Sequence, residues 1–183
     1  MAFPAFLDTC ALYPAYLCDT LLRLAVAGAY RPLWSADVLD ELRRNVIRRG
    51  IGADRAERRI SQMDRAFPDA RVRGYEALID GMENDPKDRH VLAAAVRANA
   101  EVIVTFNTKD FPIAALKPYD VLAVHPDDFL LDQLDLYPGL TLGVLEKQAA
   151  SYRREPTTVP GVLALLERTG VPRFGAEVRR HLR

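Results

Sequence analysis

Asp8 follows the short apolar run Ala5-Phe6-Leu7. The segment from Thr105 through Asn107 to Asp110 follows Glu101-Val-Ile-Val-Thr105, the clearest buried-strand pattern in the 183-residue chain. In an open parallel α/β sheet, ligands bind beyond the carboxyl ends of the strands, so polar residues at those positions come first as chemistry-bearing candidates. Each alone is ordinarily a turn or cap residue; the pair, after two strands, is harder to dismiss as such. Helix phase adds two more acids. On the helix opening at Ser35, Val38, Leu39, Leu42 and Val46 form the core stripe. Asp40 lies nearly opposite that stripe, within reach of Arg44 one turn on, whereas Glu41 sits at its edge with Asn45 on the same side. Asp88, on a later helix, shares a side with Leu92, Ala95 and Asn99, while His90 and Arg97 point away. An Asp there is also a good helix N-cap, and that alternative stays open.

A group of unpaired carboxylates repels itself unless cations fill it, and hard oxygen ligands favour Mg²⁺ or Mn²⁺. Zinc is disfavoured: the chain has two Cys and three His, without metal-ligand spacing. A divalent ion held by carboxylates activates water and neutralises a phosphoryl group. Competing chemistries lack their motifs, since there is no GxGxxG, no GxxxxGK[ST] and no GxSxG. A phosphotransfer enzyme with a nucleophilic Asp usually carries a second acid two residues on, where this chain has Cys10.

The elements that must position these residues alternate. Strands are expected at Ala5–Leu7, Arg31–Trp34, Ala70–Arg73, Glu101–Thr105 and Val121–Val124. Helices are expected between them, from Pro14 to Val26, from Ser35 to Arg48, from Asp54 to Ala66, from Tyr75 to Met82 and from Asp88 to Asn99. That alternation implies a three-layer α/β/α fold with a central parallel sheet of about five strands. From His125 onward only helical patterns remain, from Asp127, Thr141, Pro160 and Phe174. The expected organisation is therefore a core at 1–124 and a helical extension at 125–183, with no linker between them.

Composition narrows the class. At 49% hydrophobic and 27% charged the chain is globular, and no apolar run approaches the ~20 residues of a membrane span. Without a positively charged leader the expected location is the cytoplasm, with Cys10 and Cys18 as reduced thiols. Net charge is zero, yet Arg43 to Arg73 holds ten Arg against Asp54, Glu57, Asp64 and Asp69. That excess is a phosphate-binding candidate or a solvated helix face.

At these residues the chain resembles the PIN-domain nucleases, and among them the VapC-type toxins of toxin–antitoxin pairs. The matching pieces are Phe6-Leu-Asp8-Thr9, Trp34-Ser35 leading to Asp40-Glu41, Asp85-Pro-Lys-Asp88-Arg-His-Val-Leu-Ala-Ala, and Val104-Thr-Phe-Asn107-Thr-Lys-Asp110-Phe111-Pro112. The resemblance implies that Asp8, Glu41, Asp88 and Asp110 are catalytic and bind one or two Mg²⁺ or Mn²⁺ ions. It makes Thr9, Asn45, Thr105 and Asn107 supporting residues. Cys10 departs from the Asn or Ser common in relatives, and Asn107 from the frequent Asp. The helical tail resembles the extension of a longer VapC-like subgroup. The implied activity is endonucleolytic RNA cleavage by in-line attack of activated water, leaving 5′-phosphate and 3′-hydroxyl ends. A cognate antitoxin and a homodimer are the implied partners. Arg48, Arg49, Arg58 and Arg59 would hold the RNA backbone, with Arg173, Arg179, Arg180 and Arg183 as the fallback. The alternative is a PIN scaffold that binds RNA or a protein without cutting.

Overall fold

A computed structural model describes residues 2–182, so Arg183 lies outside the described residues. Five strands, β1 (Pro4–Leu7), β2 (Arg31–Ser35), β3 (Arg71–Val72), β4 (Val102–Val104) and β5 (Leu122–Val124), form one sheet in the order β3-β2-β1-β4-β5. All four pairings are parallel, with Phe6 opposite Leu33 on one side and Ile103 on the other. Ala5, Phe6 and Leu7 are fully buried. Their unbroken apolar run, without alternation, is what a parallel strand covered on both faces requires. The order reverses between β1 and β4, so the crevice beyond the carboxyl ends of these two strands is the topological switch point. Asp8 and Thr105 stand at its two sides.

After β1 the chain makes one helical turn, α1 (Thr9–Leu12), then α2 (Ala15–Val26); α3 (Ala36–Arg48) and α4 (Ala53–Ala66) lead to β3. Ser35 caps α3 by accepting from the Val38 N–H at 3.2 Å, and Val38, Leu39, Leu42 and Val46 are its buried stripe. Next come α5 (Arg89–Arg97), between β3 and β4, and a single turn α6 (Ile113–Leu116) before β5. Val91 to Ala95 are all fully buried, and the small alanines allow this helix to lie close against the sheet. Right-handed crossovers in this strand order put α2, α3 and α4 on one face and α5 on the other.

Three expected elements differ. Tyr75–Met82 is a 3-10 turn over Glu76–Gly81 instead of an α-helix: Gly74 (φ +72°) precedes it, and so short a stretch does not offset helix nucleation. The helix expected to open at Asp88 starts at Arg89, after a 3-10 turn at Pro86–Asp88. The helix expected from Thr141 starts earlier, with Pro138 in its first turn, where proline's fixed φ suits a helix start.

The last four helices are α7 (Pro126–Leu136), α8 (Pro138–Ser151), α9 (Val159–Thr169) and α10 (Pro172–His181). They share one hydrophobic core with the sheet. Phe129 packs edge-on against Tyr30 at 5.0 Å and meets Phe3 at 6.2 Å; burying it contributes roughly 2–3 kcal/mol. A polar link joins α8 to α2: the Thr20 hydroxyl donates to Gln148 Oε1 (2.8 Å), and the Gln148 amide donates to the Tyr16 carbonyl (3.2 Å). Buried Asp127 caps α10, accepting from the N–H groups of Arg173 (3.0 Å) and Phe174 (2.8 Å). Among the described residues no helix is long and apolar enough to cross a membrane.

Candidate active site

Asp8 leaves the end of β1 only 4% exposed. Its carboxylate accepts from the Thr9 N–H (2.7 Å), the Thr105 hydroxyl (2.7 Å) and the Cys10 thiol (3.2 Å). The Thr105 hydroxyl in turn accepts from the Asn107 N–H at 3.0 Å, which draws the loop after β4 onto β1. Thr9 serves two acids: its backbone holds Asp8, and its hydroxyl lies 3.1 Å from Glu41 Oε2 and 3.3 Å from the Val38 carbonyl. Glu41 is half-buried, as its helix phase requires, and Asp40 is exposed. Asp40 pairs with Arg43, three residues on, and not with Arg44, because Arg43 is also drawn toward Glu57 of α4 (3.0 Å). Asn45 is half-buried and, among the described residues, bonds to none of the four acids.

Asp88 occupies the N-cap position of α5 but makes no capping hydrogen bond. Its Oδ2 is buried with no partner. Burial, then the negative charges of Asp8, Asp110 and Asp85, push its carboxyl up to about 7 against the opposing pull of Lys87. Asp8, Asp88 and Asp110 therefore lie within electrostatic range of one another. Asp110 is paired with Lys87 Nζ at 3.1 Å, and its carbonyl accepts from the Asp85 N–H at 3.1 Å, tying the loops before α5 and after β4 together.

Each of Asp8, Glu41 and Asp110 is thus turned toward a donor of the protein. Among the described residues no three His, Cys, Asp or Glu side chains stand close enough to hold one metal ion as they are. The donor set is nevertheless all hard oxygen, and Asp88 Oδ2 is a buried acceptor without a hydrogen-bond donor. Those two features fit a hard divalent cation.

Two residues escaped the sequence analysis. Lys87 is visible in it only as a lone cation between Asp85 and Asp88. Asn84 is 4% exposed with neither amide atom hydrogen-bonded, and no pattern marks it. Cys10 supplies hydrogen bonds of its own: its Sγ accepts from the Phe106 N–H (3.2 Å), and the thiol donates to Asp8. Burial first, then the Asp8 charge, push that thiol up to about 12, so it stays a neutral donor. The extension touches this loop as well. The Phe106 ring packs edge to face with His125 at 5.0 Å, and a Cβ at Gly170 (φ +119°) would meet the ring at 2.9 Å.

Of the expected RNA contacts, Arg48, Arg49 and Arg58 are exposed and without an ion pair among the described residues, Arg49 lying 5.9 Å over the Tyr13 ring. Arg59 differs. Its guanidinium donates to the carbonyls of Leu12 and Tyr13, where it closes the end of α1. In the tail, Arg173, Arg179 and Arg180 pair with Asp128, Glu167 and Glu177.

Comparison with known proteins places this geometry in a family. Residues 4–109 match the PIN domain, and residues 126–180 match the VapC50 C-terminal domain. A protein of Mycobacterium tuberculosis (strain ATCC 25618 / H37Rv) named "Putative ribonuclease VapC50" is 55% identical over 107 residues. That alignment covers 58% of this chain and 63% of the relative, so the match spans under two thirds of the relative's length. No solved structure matches. Since the PIN match covers more than half of the chain and takes in the ends of both β1 and β4, the chain belongs to the PIN domain family.

Proposed function

We propose that the chain is an endoribonuclease dependent on Mg²⁺ or Mn²⁺ and the toxin of a toxin–antitoxin pair, acting in the cytoplasm. The observation that carries this reading is Asp88, half-buried within electrostatic range of Asp8 and Asp110, with one buried oxygen that has no hydrogen-bond partner. Asp8, Glu41, Asp88 and Asp110 are the residues that would hold the metal. Once bound, the metal supplies acidity to water and positive charge to the scissile phosphate.

The chain's own residues prepare that site. Thr9 fixes Asp8 and Glu41 from one position, and Thr105 and Cys10 hold the second Asp8 oxygen. Lys87, freed from Asp110, is positioned to donate to a phosphate oxygen as negative charge develops. Arg48, Arg49 and Arg58 hold the backbone of the RNA; Arg59 is engaged in the fold. A cognate antitoxin and a second copy of the chain are the proposed protein partners, and residues 125–183 are proposed as an extension of the 1–124 core.

The test is cleavage of a structured RNA with Mg²⁺ or Mn²⁺ by the wild-type protein and by Asp8→Asn. Cleavage by the first alone, abolished by EDTA and leaving 5′-phosphate ends, is expected. A PIN scaffold that binds RNA without cutting is the second reading, favoured by the absence of three converging carboxylates among the described residues. RNA binding by both proteins with cleavage by neither would select it.

A further inference from the structure

The turn between α8 and α9 carries Arg153 and Arg154, both exposed and neither in an ion pair among the described residues. They border a concavity of about 490 Å³ whose opposite wall is Ala15 and Tyr16, the start of α2. Its interior is aromatic. Tyr16 and Tyr152 pack edge to face at 5.6 Å with 77° between their planes, each half-buried. Tyr152 is held in place: its hydroxyl donates to Asp19 Oδ2 (2.6 Å) and accepts from Gln148 Nε2 (2.9 Å).

The acids of this concavity are engaged and its arginines are not. Asp19 also accepts from Arg23 Nε at 2.8 Å, and Glu155 is folded back onto the N–H and hydroxyl of Thr157, at 3.1 and 3.2 Å. The guanidinium charge of Arg153 and Arg154 therefore faces outward, beside rigid aromatic rings.

The concavity is also near the acidic site. Ala15 follows Asp8 by only seven residues, four of which are coiled in α1. The separation is accordingly well below the ~25 Å that such a stretch spans when extended. The same α1–α2 corner also carries Arg49 of the α3 end, 5.9 Å over the Tyr13 ring.

The geometry points to a second RNA-binding surface, contributed by the C-terminal extension. A single strand leaving the acidic site lays its phosphates on Arg153 and Arg154 and a base against Tyr16. The inference rests on the nuclease reading and adds to it a contact region for RNA that extends beyond the few nucleotides at the cleavage point. Arg forks match phosphate oxygens, and stacking on aromatic rings is how single strands are gripped without reading their sequence. An acidic protein would use the arginines and leave the aromatic pair idle.

The test uses the full chain. In an Asp8→Asn background, Arg153→Gln with Arg154→Gln should weaken binding of a 20-nucleotide single-stranded RNA about tenfold and lower the salt slope by roughly 1.4, two contacts at 0.7 each. Tyr16→Ala should weaken it about fivefold or more through lost stacking, with less change in salt slope. In the catalytically intact protein, the Arg pair variant should cleave that RNA more slowly at limiting concentration. It should hydrolyse bis(p-nitrophenyl) phosphate, which is too small to reach the concavity, at the wild-type rate with Mn²⁺. RNA affinity within twofold of the parent for both variants, at unchanged salt slope, would overturn the proposal, and is also the result an acidic-protein surface would give. Failure of the wild-type protein to hydrolyse either substrate would refute the nuclease reading instead, and the binding comparison would still decide the RNA surface.

Discussion

Arginine is dense in α10 and along α3 and α4, yet the two regions use it differently. On α10 and its first turn the charges are cancelled within the fold, Arg173 by Asp128, Arg179 by Glu167 and Arg180 by Glu177. On α3 and α4, Arg43 is neutralised by Asp40 and Glu57, while Arg44, Arg48, Arg49, Arg55 and Arg58 are left without an ion pair among the described residues. The acids divide the same way. Asp40 answers a neighbouring guanidinium, whereas Asp88 faces Asp8 and Asp110 and its Oδ2 meets no donor. An exposed arginine without a partner in the fold is available to a ligand, and one with a partner is part of the architecture.

The sharpest way to break that division is at adjacent residues. Glu41→Gln should lower RNA cleavage about 100-fold or more, since it removes a proposed metal-binding oxygen, whereas Asp40→Asn should leave it within about twofold. Equal losses in initial rate would mean that exposure and pairing do not separate the two acids. Next in size are the arginines. Arg48→Gln, Arg49→Gln and Arg58→Gln together, in an Asp8→Asn protein, should reduce RNA affinity at least about tenfold and flatten its salt dependence by about 2, three contacts at 0.7. Arg173→Gln with Arg180→Gln should leave affinity and slope unchanged; filter-binding titrations between 50 and 200 mM salt, the range over which such contacts are lost, give both numbers.

The smallest effect concerns stability in the absence of metal. Because the folded-state value of Asp88 is raised to about 7, the native protein keeps a proton that the unfolded chain releases above about pH 4. Stability therefore falls as pH rises from about 4 to 7, and the native state carries a repelled charge above that window. Asp88→Asn should raise the melting temperature of EDTA-treated protein at pH 8. Solvent screening of this half-exposed group holds the gain to about 1 kcal/mol, on the order of 2–4 °C. The difference should vanish at pH 4. A lower melting temperature at pH 8 would show that Asp88 is stabilised where it sits.

Local periodicity carries information only about what lies along one element. Helix phase separates Asp40 from Glu41 because both belong to α3, and the Ser35 cap is readable for the same reason. The choice of Arg43 over Arg44 is made by Glu57 on another helix, and Arg59 finds its carbonyl partners 46 and 47 residues away, so neither outcome has a local signal. Asp88 is the intermediate case. As cap or as ligand it occupies the same position in the chain, and only the missing capping bond distinguishes the two. The strands at the switch point are legible because both-face burial leaves continuous apolar runs. The single turns α1 and α6 are not, being shorter than one period of the pattern that would announce them.

Phe129, seated between Phe3 and Tyr30, bears on how the chain comes apart. A ring from α7 fills the space beside the first strand, so removing everything after Val124 would open a large apolar hole in the remaining core. Loss of such a side chain alone costs roughly 3–5 kcal/mol, a substantial part of the 5–15 kcal/mol that holds a typical domain together. The two matched regions should accordingly melt in one cooperative transition. A protease nicking the chain near His125 should yield small fragments without a resistant amino-terminal half, and a gene truncated there should give insoluble protein.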